Sequence, residues 1–455
     1  MYEKIILPNI NVENIKKQFF TVLSVELGNT TMKSIIISTN VKTNQSFQVN
    51  KLVKLTRDIR LPSDDEEVFG TTIWDKPLSK EAIEESIHDL ILESLAMVNL
   101  GVDDLDFVVR STGVTAISSL SKDLGVIIKA LSDACLSCGI APSRMTAPFS
   151  INNIPEHIRG YSFFNTIKFD GSVVSVNSPS HSGMISNEME GELVTAGIKL
   201  ASKSSLIEFR NPVISFDMGT TLAGQVVDNS KPYANLLCNY VGLAGGISDI
   251  LLRGSKIIKE NESTIDLTNT QKSPLENHNL YYENTIQIHE HIEIMEVPEN
   301  VTEYGSVSIR SDIHNKSKTK IIGSKIKDKE KLIKTFNQKT KNMTQEQTLQ
   351  QIDHVCAYII KRLYDTTKNI NIINDETTIG ITGRAGITGN KPEIINKYFE
   401  DETKNIIFVQ DALALGAVMM ARCMNSLGTP TNPIGGSKNS TCIMQQRIQK
   451  ISKNR

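Results

Sequence analysis

The sequence predicts an α/β protein of two duplicated lobes, with a polar segment inserted in the second. Three observations carry this. A pattern of strand, acid, glycine, threonine and returning strand occurs twice; apolar strand runs alternate with helical stripes along most of the chain; and from about 254 to 344 the composition shifts to Asn, Lys, Glu and Ser with few large apolar residues. A chain of 455 residues is long enough to bury more than one core.

Taken in order, the first hairpin is Val22-Leu-Ser-Val-Glu26-Leu-Gly28-Asn29-Thr30-Thr31, returning through Ile35, Ile36 and Ile37. Pro77 to Asn99 follows as a helix, with Ser79 as N-cap and Ile83, Ile87, Leu90, Ile91 and Leu95 as its buried stripe. Leu105 to Val109 is a short buried strand running into Arg110-Ser-Thr-Gly113-Val-Thr115. Leu120 to Cys138 has helical spacing, so Cys135 and Cys138 read as core residues; the six cysteines do not make a disulfide framework in a chain this long. Met145 to Pro179 has little periodicity and, with the turn-rich loop around His181, is expected to form a site rim. Glu188 to Lys203 reads as a helix.

The second hairpin is Val213-Ile-Ser-Phe-Asp217-Met-Gly219-Thr220-Thr221-Leu-Ala-Gly-Gln-Val-Val227, in which Asp217, Gly219 and Thr221 repeat Glu26, Gly28 and Thr30 at one constant offset. A glycine lets the backbone approach an anion, turn N–H groups and Thr hydroxyls donate to phosphate oxygens, and a carboxylate at a strand end holds magnesium through its waters. Beyond it, Gly245-Gly246 stands just before a helical segment. It is expected to leave N–H groups open to an anion, or to let a nucleotide ring pack on bare backbone.

Within the polar segment, Ile286, Ile288, Ile292 and Ile294 alternate with Gln287, His289, His291 and Glu293. This predicts a strand with both histidines on one face, where His289-x-His291-x-Glu293 could bind a metal but reads better as a solvated polar face. Lys316 to Lys341, strongly basic and nearly without aromatics, reads as a mobile solvated surface. Regular structure resumes with a helix over Thr344 to Tyr364, whose stripe is Leu349, Ile352, Cys356, Ile359, Ile360 and Leu363, and a strand over Thr377 to Thr382. Gly383-Arg384-Ala385-Gly386-Ile387-Thr388-Gly389 is a loop whose small residues can lie flat against a purine and ribose. A helix (392–398), a strand (405–409), an Ala/Gly-rich helix from Asp411 to Met420 and a polar tail (429–455) expected to be disordered complete the chain.

The paired hairpins and the small-residue loop resemble the phosphate 1, phosphate 2 and adenosine motifs of the actin, sugar kinase and 70-kDa heat-shock ATPase superfamily. The phrase Ser-Phe-Asp217-Met-Gly-Thr-Thr is similar to its hydantoinase/oxoprolinase branch. That resemblance implies actin/ribonuclease H-like lobes at 1–205 and 206–428, with the insertion in the second, around a nucleotide cleft. It implies ATP and Mg as cofactors, with Asp217 and Glu26 organising the metal and the attacking water. Phosphates would lie on Gly28, Asn29, Thr30, Thr31, Gly219, Thr220 and Thr221, with the Gly245-Gly246 turn beside them. Adenosine would sit on Gly383, Arg384, Ala385 and Gly386, and the last helix would pack beside that loop. Glu26 departs from the usual Asp, which leaves open a nucleotide-switched scaffold that does not hydrolyse ATP. A small-molecule kinase or ATP-dependent amide hydrolase is the third possibility.

As a whole the chain resembles the methanogenesis marker protein 14 family, which implies an archaeal cytoplasm and a protein partner in the methanogenesis machinery. Composition argues against other partners. Hydrophobic residues are 39%, charged residues 22% and net charge −2, so no global field draws the protein to nucleic acid, and no stretch is apolar and long enough to span a membrane.

Overall fold

A computed structural model describes residues 2–11, 19–40, 42–43, 45–112, 121–145, 162–163, 166–169, 172–175, 185–229, 236–267, 278–402 and 405–426. Contacts divide the chain into two compact units, Met1–Ile5 with Ile185–Asp228 and Leu236–Asp411, and Ile6–Met184 with Asn229–Asn235 and Ala412–Arg455. The opening strand, β1 (Tyr2–Ile5), belongs to the former.

The unit of the first hairpin is built on β2 (Phe19–Leu27), β3 (Thr31–Asn40), β4 (Ser46–Leu55), α1 (Lys80–Ala96), β5 (Phe107–Thr112) and α2 (Ser121–Ser137). Three strands pair antiparallel in succession and β5 then joins β2 in parallel, giving the sheet order β4-β3-β2-β5. Ser79 caps α1 by accepting from the Ala82 N–H at 3.1 Å, and Ile83, Ile87, Leu90, Ile91 and Leu95 meet β-strand residues such as Leu23, Val25 and Ile36 in one core. Cys135 is buried in that core, where loss of water pushes its thiol up to about 11.

The unit of the second hairpin contains α3 (Glu188–Ala201), β6 (Val213–Met218), β7 (Leu222–Val227), β8 (Leu236–Gly242) and α4 (Gly245–Gly254). It continues with α5 (His278–His289), β9 (Ile292–Glu296), β10 (Lys320–Ile326), α6 (Lys329–Thr340), α7 (Gln345–Asn369), β11 (Thr378–Thr382), α8 (Lys391–Tyr398) and β12 (Ile406–Val409). Among the described residues its sheet has eight strands in the order β1-β12-β11-β6-β7-β8-β10-β9. Again an antiparallel β6, β7, β8 is followed by strands added in parallel on the far side of the first, here β11 and then β12. This is the ribonuclease H-like order, begun in the same way in both units, and the α/β fold class of two duplicated lobes holds. Strand β6 is buried along its whole length, which is why it reads as a continuous apolar run.

Several expectations change. Helix α3, expected in the first lobe, packs on β6 and β7 and belongs with the second hairpin. The last helix, α9 (Ala412–Ser426), expected beside the adenosine loop, packs against β2, β3 and β5 and belongs with the first. Much of the polar segment is integral to the second unit: β10 pairs in parallel with β8 and β9 extends the same sheet, while Ile288, Ile292, Ile322, Leu332 and Phe336 are part of its main core.

The strand expected through Ile286 to Ile294 is the end of α5, a turn, and β9. His289 and His291 therefore do not share a strand face. His289 is buried and meets the Val355 carbonyl at 3.0 Å, whereas His291 meets Thr335 Oγ1 at 2.9 Å. The basic stretch expected to be a mobile surface forms β10 and α6, the latter capped by Asp328 and anchored by Leu332 and Phe336. The expected rim contains three short antiparallel strands, Ser162–Phe163, Thr166–Phe169 and Ser172–Ser175; His181, Gly113 to Thr115 and the tail lie outside the described residues.

Candidate functional site

In the second hairpin, register pairs Asp217 with Ala223 and Met218 with Leu222, leaving Gly219, Thr220 and Thr221 as the turn. Asp217 thus stands next to the end of β6, only 9% exposed. The turn is gripped from below by α4: the Gly245 N–H donates to the Gly219 carbonyl at 2.7 Å, and the N–H groups of Ala244 and Gly246 donate to the Thr220 carbonyl at 3.1 and 2.9 Å. The open amides expected at Gly245 and Gly246 are therefore committed to the hairpin. What requires glycine at 245 is proximity, because a Cβ there would stand 2.6 Å from the Gly219 carbonyl oxygen.

Beyond β11, Gly383 turns the chain at a φ of +82° and opens a helical turn, Arg384–Ile387. A Cβ on Gly383 would lie 2.4 Å from Met218 C and 2.5 Å from Asp217 Oδ1, and one on Gly386 would lie 3.2 Å from Met218 Cγ. These two glycines pack the loop onto the hairpin. Asp353 of α7 pins the far end of the loop, accepting from Asn390 N at 2.7 Å and from Lys391 Nζ at 2.5 Å.

Beside this loop lies a cavity of about 800 Å³, walled by Arg384, Ala385 and Thr388, by Ser248 of α4, and by Glu346 and Gln350 of α7. Such a volume is ordinary for a small-molecule site. Apolar lining comes from Leu252, Ile265 and Leu349. Arg384 joins the cavity to the hairpin: its Nη2 donates to Thr220 Oγ1 at 3.1 Å, and its guanidinium pairs with Asp249, whose side chain is 1% exposed.

In the other unit, the first hairpin repeats the arrangement with one difference. Leu27 pairs with Met32, so its turn, Gly28 to Thr31, is one residue longer than the second, and Thr31 rather than Thr30 occupies the place of Thr221. The Gly28 N–H closes the turn on the Thr31 carbonyl at 2.8 Å, while Thr56 donates its N–H to the Thr30 carbonyl and its hydroxyl to the Asn29 carbonyl, both at 3.0 Å. Glu26 forms an ion pair with Lys33 of the returning strand, Oε2 to Nζ 3.0 Å.

The structure therefore brings Asp217, Gly219, Thr220, Thr221, Gly245, Gly246 and Gly383 to Gly386 together in one unit, and Glu26 with Gly28, Asn29, Thr30 and Thr31 in the other. Asp249, Asp353, Lys391 and Lys33 were not singled out in the sequence. The first two carry a legible signal, each a carboxylate set among apolar helix residues: Asp249 between Ile247 and Leu251, Asp353 between Ile352 and Val355.

Residues 19–451 match the family described as "Uncharacterized protein conserved in archaea (DUF2114)". A protein of Methanothermobacter thermautotrophicus is 42% identical over 436 residues, covering 94% of this chain and 82% of the relative. One of Methanocaldococcus jannaschii is 42% identical over 448 residues, covering 96% and 92%. Among solved structures, the chain is similar to a reductive activator for corrinoid,iron-sulfur protein (10% identity, TM-score 0.35, covering 90% of this chain and 61% of that one). It is also similar to the ethanolamine utilization protein EutJ of Carboxydothermus hydrogenoformans (10%, TM-score 0.38, 90% and 93%) and to MreB5 of Spiroplasma citri bound to ADP (11%, TM-score 0.34, 88% and 96%). On the match over nearly its whole length and on both archaeal relatives, the chain belongs to this conserved archaeal DUF2114 family.

Proposed function

We propose that the protein binds Mg-ATP and hydrolyses it, as a member of the actin, sugar kinase and heat-shock ATPase superfamily that supports methanogenesis through a protein partner. The observation that carries this is the loop from Gly383, which lines a cavity of about 800 Å³ on one side and lies against Asp217 on the other. Adenosine would occupy that cavity between the loop and α7. The phosphates would reach the Gly219 to Thr221 turn, and Asp217 would hold magnesium through its waters, neutralising charge on the phosphate oxygens. Glu26 with the Gly28 to Thr31 turn is a second candidate element of the same chemistry. The link to methanogenesis rests on the resemblance to methanogenesis marker protein 14 and on relatives from two methanogens.

One observation favours a second reading, a nucleotide-switched scaffold without turnover. Lys33 Nζ stands 3.0 Å from Glu26 Oε2, so an ammonium already occupies a carboxylate oxygen that a metal ion or an attacking water would need. Thermal unfolding with millimolar Mg-ATP, followed by phosphate-release assays, separates the readings. A rise in melting temperature with phosphate release supports the ATPase, a rise without release supports the scaffold, and no rise in folded, nucleotide-free protein refutes both.

A further inference from the structure

We propose that Arg384 is a positioning residue that fixes the Thr220 hydroxyl as a donor toward an anion at the hairpin turn, and that Asp249 locks Arg384 in that pose. The inference rests on the nucleotide reading above and specifies which part of the nucleotide the residue serves, the phosphate rather than the base.

A guanidinium only donates. At 3.1 Å from Arg384 Nη2, Thr220 Oγ1 is accepting, so the hydroxyl hydrogen is turned away from the arginine. Oriented in this way by a neighbouring cation, the hydroxyl would donate its hydrogen to a phosphate oxygen bound at the turn.

Arg384 has little freedom to do otherwise. Its Nη1 meets Asp249 Oδ1 at 2.9 Å and its Nη2 meets Oδ2 at 2.5 Å, a two-point fork that sets the guanidinium plane. Nη1 also donates to Thr264 Oγ1. Asp249 is fixed in turn, because its Oδ1 accepts from Thr264 N at 2.8 Å and Thr264 Oγ1 at 3.0 Å. The guanidinium lies along the bare backbone of Gly245, where a Cβ would be 3.2 Å from Cζ. A buried ion pair of this kind is a weak way to add stability, since apolar residues of similar volume often serve as well, but it enforces direction. Both terminal nitrogens of Arg384 are engaged by protein groups. Although the residue lines the cavity, its geometry serves the turn.

The test is calorimetric titration of the full chain with adenosine and with Mg-ATP, for the parent, Thr220→Val, Thr220→Ser, Arg384→Lys and Asp249→Asn. The expected result is selective: Thr220→Val, Arg384→Lys and Asp249→Asn weaken Mg-ATP at least about tenfold while adenosine changes less than about threefold, and Thr220→Ser, which keeps the hydroxyl, stays near the parent. Thr220→Val added to Arg384→Lys should cost little more than either alone. Adenosine and Mg-ATP weakening in step, or additive losses, would overturn the proposal, because Arg384 would then act on the base or independently of Thr220. If Asp249→Asn does not fold, the Thr220 pair and Arg384→Lys still decide. If the parent binds neither ligand, the nucleotide reading fails. The lock is then judged by hydrogen exchange at the Gly245 and Gly246 amides, which Arg384→Lys should accelerate by loosening the turn; unchanged exchange overturns it.

Discussion

Gly383 lies against the carboxylate of Asp217, so closely that a Cβ on the glycine would stand 2.5 Å from Oδ1. The loop and the hairpin strand are adjacent because β6 and β11 pair in parallel, with Asp217 opposite Thr382, so both strands deliver their following turns to one edge of the sheet. A site there would depend on the absence of a side chain at 383.

Gly383→Ala should therefore destabilise the protein by more than conformational strain alone. Gly139, with a φ of +86° and nothing within 4 Å of its virtual Cβ, is the reference for a positive φ alone; Gly383 adds a ψ of 153°, in a region that essentially only glycine occupies, and the overlap with Asp217. Gly139→Ala should cost about 1–2 kcal/mol for the left-handed backbone, and Gly383→Ala at least about 2 kcal/mol more, with loss of Mg-ATP binding. Urea unfolding of the two variants measures the difference, and equal costs would mean that the loop yields without disturbing Asp217.

Deleting Ser255 to Lys341 with a short linker should abolish cooperative folding of the second-hairpin unit. The segment reads as an insertion by composition, yet it supplies β9 and β10 to the sheet and Ile288, Ile292, Ile322, Leu332 and Phe336 to the core. Each such side chain contributes about 1.5–3 kcal/mol by burial, and a domain holds only about 5–15 kcal/mol in all. A deleted chain that melts in one sharp transition and keeps its far-ultraviolet dichroism per residue would count against this.

What was legible in the sequence follows from how each element is buried. Helix α7 is long and one-sided, with Ile352, Cys356, Ile359, Ile360 and Leu363 at helical spacing and a Thr344–Gln347 capping box, so its period stands out. The hairpins announce themselves by apolar runs ending in acid and glycine. Strand β10 does not, because half of its buried positions are Gly323 and Ser324, and it is the bare backbone of Gly323 that lets Tyr304 and Val297 lie against the sheet. Helix α6 is polar apart from a few anchors, and Ile288 and Ile292 fit a helix at one turn's spacing as well as a strand. In the candidate site, the glycines and threonines were visible as types, but the one-residue difference between the turns and the Arg384–Asp249 pair depend on register and tertiary contact.

Acid should destabilise the second-hairpin unit. The depressed pKa values of His289 and His354, each about 3, arise first from burial. His289 Nε2 donates to the Val355 carbonyl, leaving Nδ1 to accept from Arg362 Nη1 at 3.2 Å, which a protonated ring cannot do. With the folded value below the unfolded ~6.5, the unfolded chain binds more protons between the two; stability is complete above about pH 6.5 and falls as pH drops toward 3. Between pH 7.5 and 5 each histidine should cost up to about 2 kcal/mol, so His289→Gln should show a shallower dependence than the parent in urea titrations. A parent whose stability is flat over that range would mean that neither ring is held neutral.

The two acids at the hairpins should behave unequally. Asp217 is 9% exposed at the end of a fully buried strand, against the glycine of the loop that lines the cavity. Asp217→Asn keeps the size and removes the charge, so a carboxylate that holds magnesium through water should lose at least about tenfold in Mg-ATP affinity or turnover, ~1.4 kcal/mol, while metal-free adenosine binding is unchanged. Glu26 is already paired with Lys33, and Glu26→Asp draws the carboxylate back by one methylene, away from Nζ. That change should keep nucleotide binding and keep or raise hydrolysis, because the freed carboxylate can act on water or metal. Titration and phosphate release on the two variants, both checked for native melting, decide the matter. An Asp217→Asn protein that matches the parent in both assays would reduce the second hairpin to a structural turn, and a Glu26→Asp protein that loses binding would show that the Lys33 pair itself is required.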